Sequence, residues 1–234
     1  MNSSPPGAEV IVLLSGGLDS SVLLYYVKQF FTRVVSLSVC YGQRHSRELD
    51  AARKIALRAN VDESCILDLT HFGALVHSAL TDKSTVVPQG EYTNETLKST
   101  VVPNRNALLL SAAFGLAFSR NASYVAYAAH AGDHPLYPDC RPEFIRTFER
   151  AMQHAWWQPV HLWAPFQDLS KGDIVRRGML LEVPFELTYS CYVGEKKHCG
   201  QCSTCRERKK AFIEADVPDP TEYTDDKSTS RDIL

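Results

Sequence analysis

The chain has 234 residues, of which 44% are hydrophobic and 22% are charged, which is typical of one folded domain with at most a small appendage. The formal net charge of −2 excludes a molecule that binds polyanions through its overall charge. No apolar run approaches the roughly 20 residues of a membrane helix, and the N-terminus has no secretion signal, so we expect a cytoplasmic protein without a membrane partner.

Apolar strands and helices alternate over the first third of the chain. Strands are predicted at 9–14, 33–40 and 65–69, and helices at 20–31 and 46–60. The first strand is apolar without alternation, which is typical of a strand buried on both faces of a parallel sheet. The order strand–helix–strand–helix–strand predicts an α/β fold with a doubly wound, Rossmann-like and mostly parallel sheet.

A glycine turn, SGGLDS at residues 15–20, joins the first strand to the first helix. Backbone N–H groups at a helix N-terminus bind anions, and Gly16 and Gly17 allow a ligand to approach the backbone closely. The turn is shorter than a Walker loop and lacks its Gly-Lys-Ser sequence. We therefore predict a phosphate site of another type, formed by Leu14, Ser15, Gly16, Gly17, Leu18, Asp19, Ser20 and Ser21.

Asp19 is unexpected within a phosphate site, because a carboxylate repels a phosphate unless a cation lies between them. Carboxylate oxygens are ligands that Mg²⁺ prefers, so this acid predicts a bound Mg²⁺ with Asp19 as an inner- or outer-sphere ligand. The alternative is a tight strand-to-helix turn in which Asp19 only caps the helix.

Irregular and regular segments alternate over the middle of the chain. Residues 81–104 are predicted to be irregular, and a loop of this length is typical of a lid or a binding segment. Residues 131–142 are also predicted to be irregular, and the stretch LEVPFELTYSCY, 181–192, is predicted to be extended. Helices are predicted at 105–119, 143–156 and 170–181, and strands at 124–130 and 160–163.

Seven cysteines, an odd number spread unevenly along a chain expected in the cytoplasm, favour metal binding or free thiols over disulfides. Four of them, Cys191, Cys199, Cys202 and Cys205, follow a C-x7-C-x2-C-x2-C pattern in which Gly200 suits a tight turn. We predict a closed, structural Zn²⁺ site, because four thiolates complete a tetrahedral shell without an open position. An iron–sulfur cluster is the chemical alternative.

The basic run RERKK, at 206–210, follows the cysteines directly. Beside a zinc knuckle such a run can contact RNA, but the interpretation that we favour is a solvent-exposed helix face. The polar residues 216–234 are expected to form a loosely held tail. The predicted organisation is therefore an α/β domain at 9–185, a zinc-binding segment with a helix at 186–215, and the tail.

The glycine turn resembles the pyrophosphate loop of the N-type ATP pyrophosphatases, or PP-loop enzymes, which cleave ATP between the α and β phosphates. Together with SLSVCYGQRHSRELDAARKIA, VVPNRN, YPDCRPEF and the cysteine segment, it resembles the 7-cyano-7-deazaguanine (preQ0) synthase family over about residues 9–214. That family uses ATP and ammonia to convert 7-carboxy-7-deazaguanine to the nitrile in queuosine biosynthesis. The resemblance implies adenylation of the carboxylate and then of the amide, release of AMP and pyrophosphate, and a homodimer.

Cations are needed around the α-phosphate, because an amide oxygen is a poor nucleophile and its adenylation requires charge stabilisation. Arg105 and Arg141 are candidates from the quoted motifs, and Lys171 matches the phosphate-facing lysine that the resemblance implies. Without the resemblance, Lys171 is equally explained as an exposed helix charge. The predicted catalytic residues are Asp19, Lys171, Arg105 and Arg141.

A planar purine analogue would stack on aromatic rings and pair its guanine-like edge with a carboxylate or an amide. Tyr137 or Phe144 suits stacking, and Asp139 and Asn106 suit pairing. Asp139 is equally explained as a turn residue after Pro138. The predicted substrate-binding residues are Arg105, Asn106, Tyr137, Asp139 and Arg141.

The remaining thiols and histidines are given structural interpretations. Cys140, Cys40 and Cys65 are predicted to be packed free thiols, and His45, His130 and His134 to be exposed or hydrogen-bonded. The chain has Cys40 where the resembling family often has an acid, a departure that bears on a ribose or adenine contact at that strand end.

Two other functions fit parts of the pattern. A related ligase that couples the deazaguanine carboxylate to another amine, such as a protein N-terminus, would use the same adenylate. A zinc-knuckle RNA-binding module is disfavoured by the near-neutral charge and by the intact pyrophosphate loop. No glutaminase domain is recognisable, so we expect free ammonia or a partner to supply the nitrogen.

Overall fold

The computed structural model describes residues 8–82, 84–90 and 93–224, apart from the side chains of 94–96. Within these residues, five strands form one fully parallel sheet in the order β3-β2-β1-β4-β5. The strands are β1 (Glu9–Leu13), β2 (Arg33–Cys40), β3 (Glu63–Asp68), β4 (Tyr124–Ala126) and β5 (His161–Trp163). This sheet confirms the doubly wound α/β fold.

Helices cover both faces of the sheet, because the side chains of β1 alternate between two apolar cores. Val10 and Val12 lie in one core, whereas Ile11 and Leu13 lie in the other. The helices are α1 (Leu18–Val27), α2 (Arg47–Ala59), α3 (Thr70–Leu75), α4 (Asn94–Thr100), α5 (Arg105–Arg120), α6 (Pro142–Gln153), α7 (Lys171–Leu180) and α8 (Ser203–Ala215). Side chains of α1, α2, α7 and α8 fill the first core, and those of α5 and α6 fill the second.

The strand order reverses at β1, whose two neighbours are β2 and β4. From β1 the chain continues to β2 and β3 on one side of the sheet. It then returns to β4, on the other side of β1, and continues outward to β5, so the connections that follow β1 and β4 lead in opposite directions. A crevice forms at the carboxyl ends of these two strands, and this is where doubly wound sheets bind ligands.

The middle of the chain contains more helix and less strand than its sequence predicts. Helix α4 lies inside the segment 81–104, which its prolines predict to be irregular, and the short α3 has no clear sequence signal. Strand β4 ends at Ala126 rather than at residue 130, and the following Tyr127 and Ala128 line a cavity at the carboxyl edge of the sheet.

Among the described residues, the segment Leu97–Arg120 is long and apolar enough to cross a membrane by length and composition, contrary to the sequence-based expectation. A core helix of a soluble protein meets the same criterion, so this is weak evidence. Pro103 separates α4 from α5, and Leu110, Ala113 and Phe114 of α5 are fully buried against the sheet.

The C-terminal residues differ from the expectation of exposed charges and a loose tail. Arg208, within the basic run, is 1% exposed, and it donates to Thr188 Oγ1 at 2.8 Å and pairs with Asp219. Tyr223 is buried beside the cysteine segment, and its hydroxyl donates to Asp219. The exposed-face interpretation is therefore wrong for Arg208, and residues 217–224 are held by these contacts, whereas 225–234 lie outside the described residues.

Candidate active site

A cavity of about 270 Å³ lies at the crevice between β1 and β4. Its walls come from the carboxyl ends of β1 and β2, from the N-terminal turns of α1, α2, α5 and α7, and from the segment leading into α8. The residues of the glycine turn that line it are Leu14, Ser15, Gly17, Leu18, Asp19 and Ser20.

Gly16 and Ser21, also predicted to bind phosphate, face the protein interior instead. Gly16 has a φ of +86°, and a Cβ at this position would lie 2.2 Å from the carbonyl oxygen of Glu48 in α2. Ser21 is fully buried and its hydroxyl donates to the carbonyl oxygen of Gly17 at 2.7 Å. The close packing of α2 against the turn therefore requires glycine at position 16.

Serine hydroxyls brace the turn. Ser15 Oγ and Ser20 Oγ are 2.9 Å apart, and the N–H of Gly17 donates to Ser15 Oγ at 3.2 Å. Gly17 is the N-cap of α1 and no side chain caps the first turn. The first turn of α1 therefore lines the cavity without a side chain of its N-cap residue, an arrangement that suits an anion, and Asp19 is not the N-cap.

Asp19 belongs to a cluster of charged side chains at this end of the cavity. Its Oδ2 lies 3.2 Å from Lys171 Nζ and 3.9 Å from His130 Nε2. Lys171 Nζ also donates to Glu207 Oε2 at 2.8 Å, and His130 Nε2 is 3.4 Å from Asp133 Oδ2. Asp19 Oδ1 is buried without a hydrogen-bond partner among the described residues, an arrangement that fits a cation ligand.

The protonation states of the side chains in this cluster depend on the charges of their neighbours and on burial. Burial would raise the pKa of Asp19, but Lys171 and His130 outweigh it and hold that pKa below its ordinary value. Burial would lower the pKa of Lys171, but Asp19 and Glu207 raise it, so Lys171 is a permanent cation. Burial also raises the pKa of Asp133, although His130 and Lys171 oppose this change. The carboxylate of Asp19 is thus ionised beside a fixed ammonium.

His130 and Glu207 are site residues that the sequence interpretation missed. His130 is 1% exposed, and its Nδ1 accepts from the N–H of Gly132 at 3.1 Å, so the proton of a neutral ring lies on Nε2, toward the acids. The structure confirms a hydrogen-bonded histidine but places it in the charged cluster. The available signal was its position just beyond the predicted fourth strand, where ligands collect in this fold.

The other end of the cavity is aromatic and holds a second pair of charges. The guanidinium carbon of Arg105 lies 5.8 Å from the ring centroid of Tyr41, and Glu48 of α2 shares this wall. Burial raises the pKa of Glu48 to about 7, although the charge of Arg105 opposes the change. Tyr137, a predicted stacking residue, and Tyr127 also line the cavity.

Cys140 is a packed thiol in the cavity wall, as its sequence context predicts. Asn106, a predicted substrate residue that is itself buried, donates to Cys140 Sγ at 3.5 Å, and the hydroxyl oxygen of Tyr127 is 3.4 Å from the same sulfur. Burial raises the pKa of Cys140 to about 12, so the thiol is not a nucleophile at neutral pH.

Several predicted residues do not line the cavity. Arg141 is exposed at the N-cap of α6, where its Nε donates to the carbonyl oxygen of His134 at 2.9 Å. Asp139 lies in a short 3₁₀ turn and Phe144 packs on the core of α5 and α6. Cys40 also lies outside the lining, with its sulfur 3.3 Å from Thr70 Oγ1. Asp139, Arg141 and Phe144 belong to the turns around Pro138 and Pro142, whereas Cys40 ends β2.

The four predicted ligand cysteines come together. Their sulfur atoms all lie within 4.8 Å of one another, and a tetrahedron with metal–sulfur bonds of about 2.3 Å has edges of about 3.8 Å. Backbone N–H groups of Cys199 and Cys202 donate to Cys191 Sγ and Cys199 Sγ at 3.3 Å. Gly200 has a φ of +76°, the conformation expected of the tight turn. The cluster fits a metal ion.

The parallel sheet and the glycine turn at its crevice define a doubly wound α/β protein, and solved structures share this fold. Solved structures that share the fold include NMN synthetase from Francisella tularensis, at 16% identity and a TM-score of 0.53, which covers 92% of this chain and 79% of that one. Another is a 4-thiouridine synthetase solved in complex with RNA and with bound ATP, at 16% identity and a TM-score of 0.50, covering 89% and 50%.

Residues 9–216 match the family described as queuosine biosynthesis protein QueC, and the chain belongs to this family. Similar proteins are the 7-cyano-7-deazaguanine synthases of Caldicellulosiruptor bescii, 47% identical over 91% of this chain and 96% of the relative, and of Rhizobium meliloti, 50% identical over 93% and 92%. The family predicted from the motifs is thereby confirmed.

Proposed function

We propose that this protein is an ATP-dependent ligase that converts 7-carboxy-7-deazaguanine and ammonia to 7-cyano-7-deazaguanine and releases AMP and pyrophosphate. The observation that carries the proposal is the similarity to synthases of that name at 47–50% identity over more than nine-tenths of the chain. The phosphate turn beside the Asp19–Lys171 pair supports the same chemistry, because both lie at one end of the cavity.

The glycine turn binds the phosphate groups that leave as pyrophosphate. The N-terminal turn of α1 and the hydroxyls of Ser15 and Ser20 supply the donors, and Lys171 neutralises charge that develops at the α-phosphate. Asp19, whose Oδ1 has no hydrogen-bond partner among the described residues, is the side chain that would hold a Mg²⁺ ion. When bound, the cation supplies charge neutralisation between this carboxylate and the phosphates.

The aromatic end of the cavity binds the deazaguanine. Tyr137 and Tyr127 offer ring faces, Asn106 offers an amide, and Arg105 offers a cation for the carboxylate. Arg141 and Asp139 stay predicted contacts that require their turn to move toward the cavity. Glu48 lines this part of the cavity and Asp139 does not, so Glu48 is the carboxyl group in place to pair with the guanine-like edge.

The remaining assignments follow from the same interpretation. The metal of the four cysteines is a structural Zn²⁺, because a closed thiolate shell leaves no position for a substrate. Residues 9–185 form the catalytic unit and 186–215 the metal-binding segment. The protein acts as a cytoplasmic homodimer on small-molecule substrates, without nucleic acid or membrane as a partner.

One incubation tests the reaction. The protein is mixed with ATP, Mg²⁺, ammonium and 7-carboxy-7-deazaguanine, and the nucleotide and base products are identified by mass spectrometry. Nitrile together with AMP supports the proposal, whereas ADP would overturn cleavage at the α-phosphate. AMP with the amide but no nitrile would overturn the second adenylation, whereas AMP with neither product would overturn ammonia as the acceptor and favour the related ligase that uses another amine.

A further inference from the structure

Helix α8 connects the four-cysteine cluster to the end of the cavity that is lined by the glycine turn and Lys171, here called the phosphate end. The helix has Cys202 as its N-cap and Cys205 in its first turn. Thr204 and Glu207, on the same turns, both line the cavity, and Thr204 Oγ1 donates to the carbonyl oxygen of Ser190 at 2.7 Å. A side chain carried by the metal-binding segment therefore reaches the nucleotide site.

Lys171 occupies a position that does not suit a cation by itself. It is the first residue of α7, where the helix dipole disfavours positive charge, and its side chain is only 17% exposed. The ammonium is held there by Asp19 at 3.2 Å and by Glu207 at 2.8 Å. Of the two carboxylates, Asp19 is the one assigned to the cation, so Glu207 is the partner left to hold Lys171 once the cation is bound.

Glu207 is not needed to hold the two helices together. Helices α7 and α8 are joined elsewhere, because Ser170 Oγ donates to Glu214 Oε1 at 2.5 Å and Arg176 donates to the carbonyl oxygen of Glu214 at 2.6 Å. The helices also touch directly at Gly172, where a Cβ would lie 2.5 Å from Glu214 Cδ. The contact of Glu207 with Lys171 thus has no evident structural purpose beyond placing the ammonium.

We propose that Glu207 is a positioning residue that holds the Lys171 ammonium toward the α-phosphate, so that the cysteine segment, through α8, helps to order the site of ATP cleavage. The inference rests on the proposed function, because Lys171 must act on a phosphate. It assigns to Glu207 no contact with substrate.

The test compares Glu207→Gln with Glu207→Asp and with the matched control Glu214→Gln, which removes a carboxylate from the same helix without touching Lys171. Each is purified with its metal, and pyrophosphate release is measured with ATP and base varied separately. We expect Glu207→Gln to lower kcat roughly 10- to 100-fold with little change in KM for the base, because a misplaced group loses transition-state contact. Glu207→Asp is expected to recover part of kcat, and Glu214→Gln to stay within twofold of the wild type.

A second measurement does not depend on turnover. Without nucleotide, an amine-reactive ester labels lysines, and the rate at Lys171 is read by peptide mass spectrometry. Labelling at Lys171 should rise several-fold in Glu207→Gln and stay unchanged in Glu214→Gln, with metal content and melting temperature close to those of the wild type.

Wild-type kcat in Glu207→Gln, equal losses in Glu214→Gln, or unchanged Lys171 labelling would overturn the positioning role. Failure of the proposed function is seen separately, in the products of the wild-type protein. If another amine is the acceptor, pyrophosphate release still reports on Lys171.

Discussion

At the scale of single residues, the phosphate end of the cavity depends on Asp19, an acid whose negative charge is balanced by neighbouring side chains. Asp19 can stand beside an anion because the Lys171 ammonium lies against its carboxylate and because its Oδ1, which has no partner among the described residues, is free to bind a cation. Glu48, at the other end, is the opposite case, since burial favours its neutral form. Two carboxyls in one cavity thus respond differently to pH.

Asp19→Asn should abolish pyrophosphate release, by a factor on the order of 10² to 10³ in kcat, while the fold remains intact. The amide keeps the shape of the side chain but is a poor ligand for Mg²⁺ and has no charge to hold Lys171. Turnover is followed by pyrophosphate release and folding by circular dichroism. Near-wild-type turnover would contradict the role assigned to this carboxylate.

Glu48→Gln should raise the melting temperature at pH 8 relative to the wild type by a few degrees, and by less at pH 5. The folded-state pKa of about 7 lies above the ordinary value of 4.5, so the folded protein binds this proton more tightly than the unfolded chain. That stabilisation is complete below pH 4.5 and is lost as the pH rises through about 7. Differential scanning fluorimetry across this range checks the sign, and an equal shift at both pH values would contradict it.

At the scale of elements, the turn between β1 and α1 is shaped by α2 as much as by a ligand. Gly16→Ala should destabilise the protein by about 2–5 kcal/mol, because it combines a positive φ with a clash against a rigid backbone carbonyl. Chemical denaturation measures the free energy of unfolding.

The matched control for this turn is Gly115→Ala in α5, where an added Cβ meets nothing within 4 Å. It should be neutral or should stabilise by about 0.5–1 kcal/mol, because alanine is the better helix former. Similar effects of the two substitutions would mean that the contact between the turn and α2 is not tight.

At the scale of the whole molecule, the four-cysteine cluster ties the C-terminal residues to the α/β sheet. Cys202→Ser should lose the bound metal and destabilise residues 186–224, because the ligand set is then incomplete and its binding energy no longer supports folding. Metal content and hydrogen exchange of these residues are the measurements. Cys65→Ser, a thiol outside the cluster, is the control, and undiminished metal content in Cys202→Ser would disprove the assignment.

Much of the fold is predictable because its signals are local. The apolar run of β1, the glycine turn after it and the cysteine spacing are each contained in a few consecutive residues. Arg208 was misjudged for the complementary reason, since charge in a sequence indicates exposure unless a distant partner such as Asp219 compensates it.

The sequence by itself determined the class of sheet, the glycine turn at its edge, the cluster of four cysteines and the family to which the chain belongs. Only the tertiary structure decided which charges share the cavity. His130, Lys171 and Glu207 are separated by tens of residues along the chain. His130 and Lys171 meet Asp19, and Glu207 meets Lys171, because β1, β4, α7 and α8 converge at one edge of the sheet. The residues next to a charged side chain in a helix or a loop do not indicate which distant partner it will contact. A glycine turn and a cysteine knuckle are instead recognisable from a few consecutive residues.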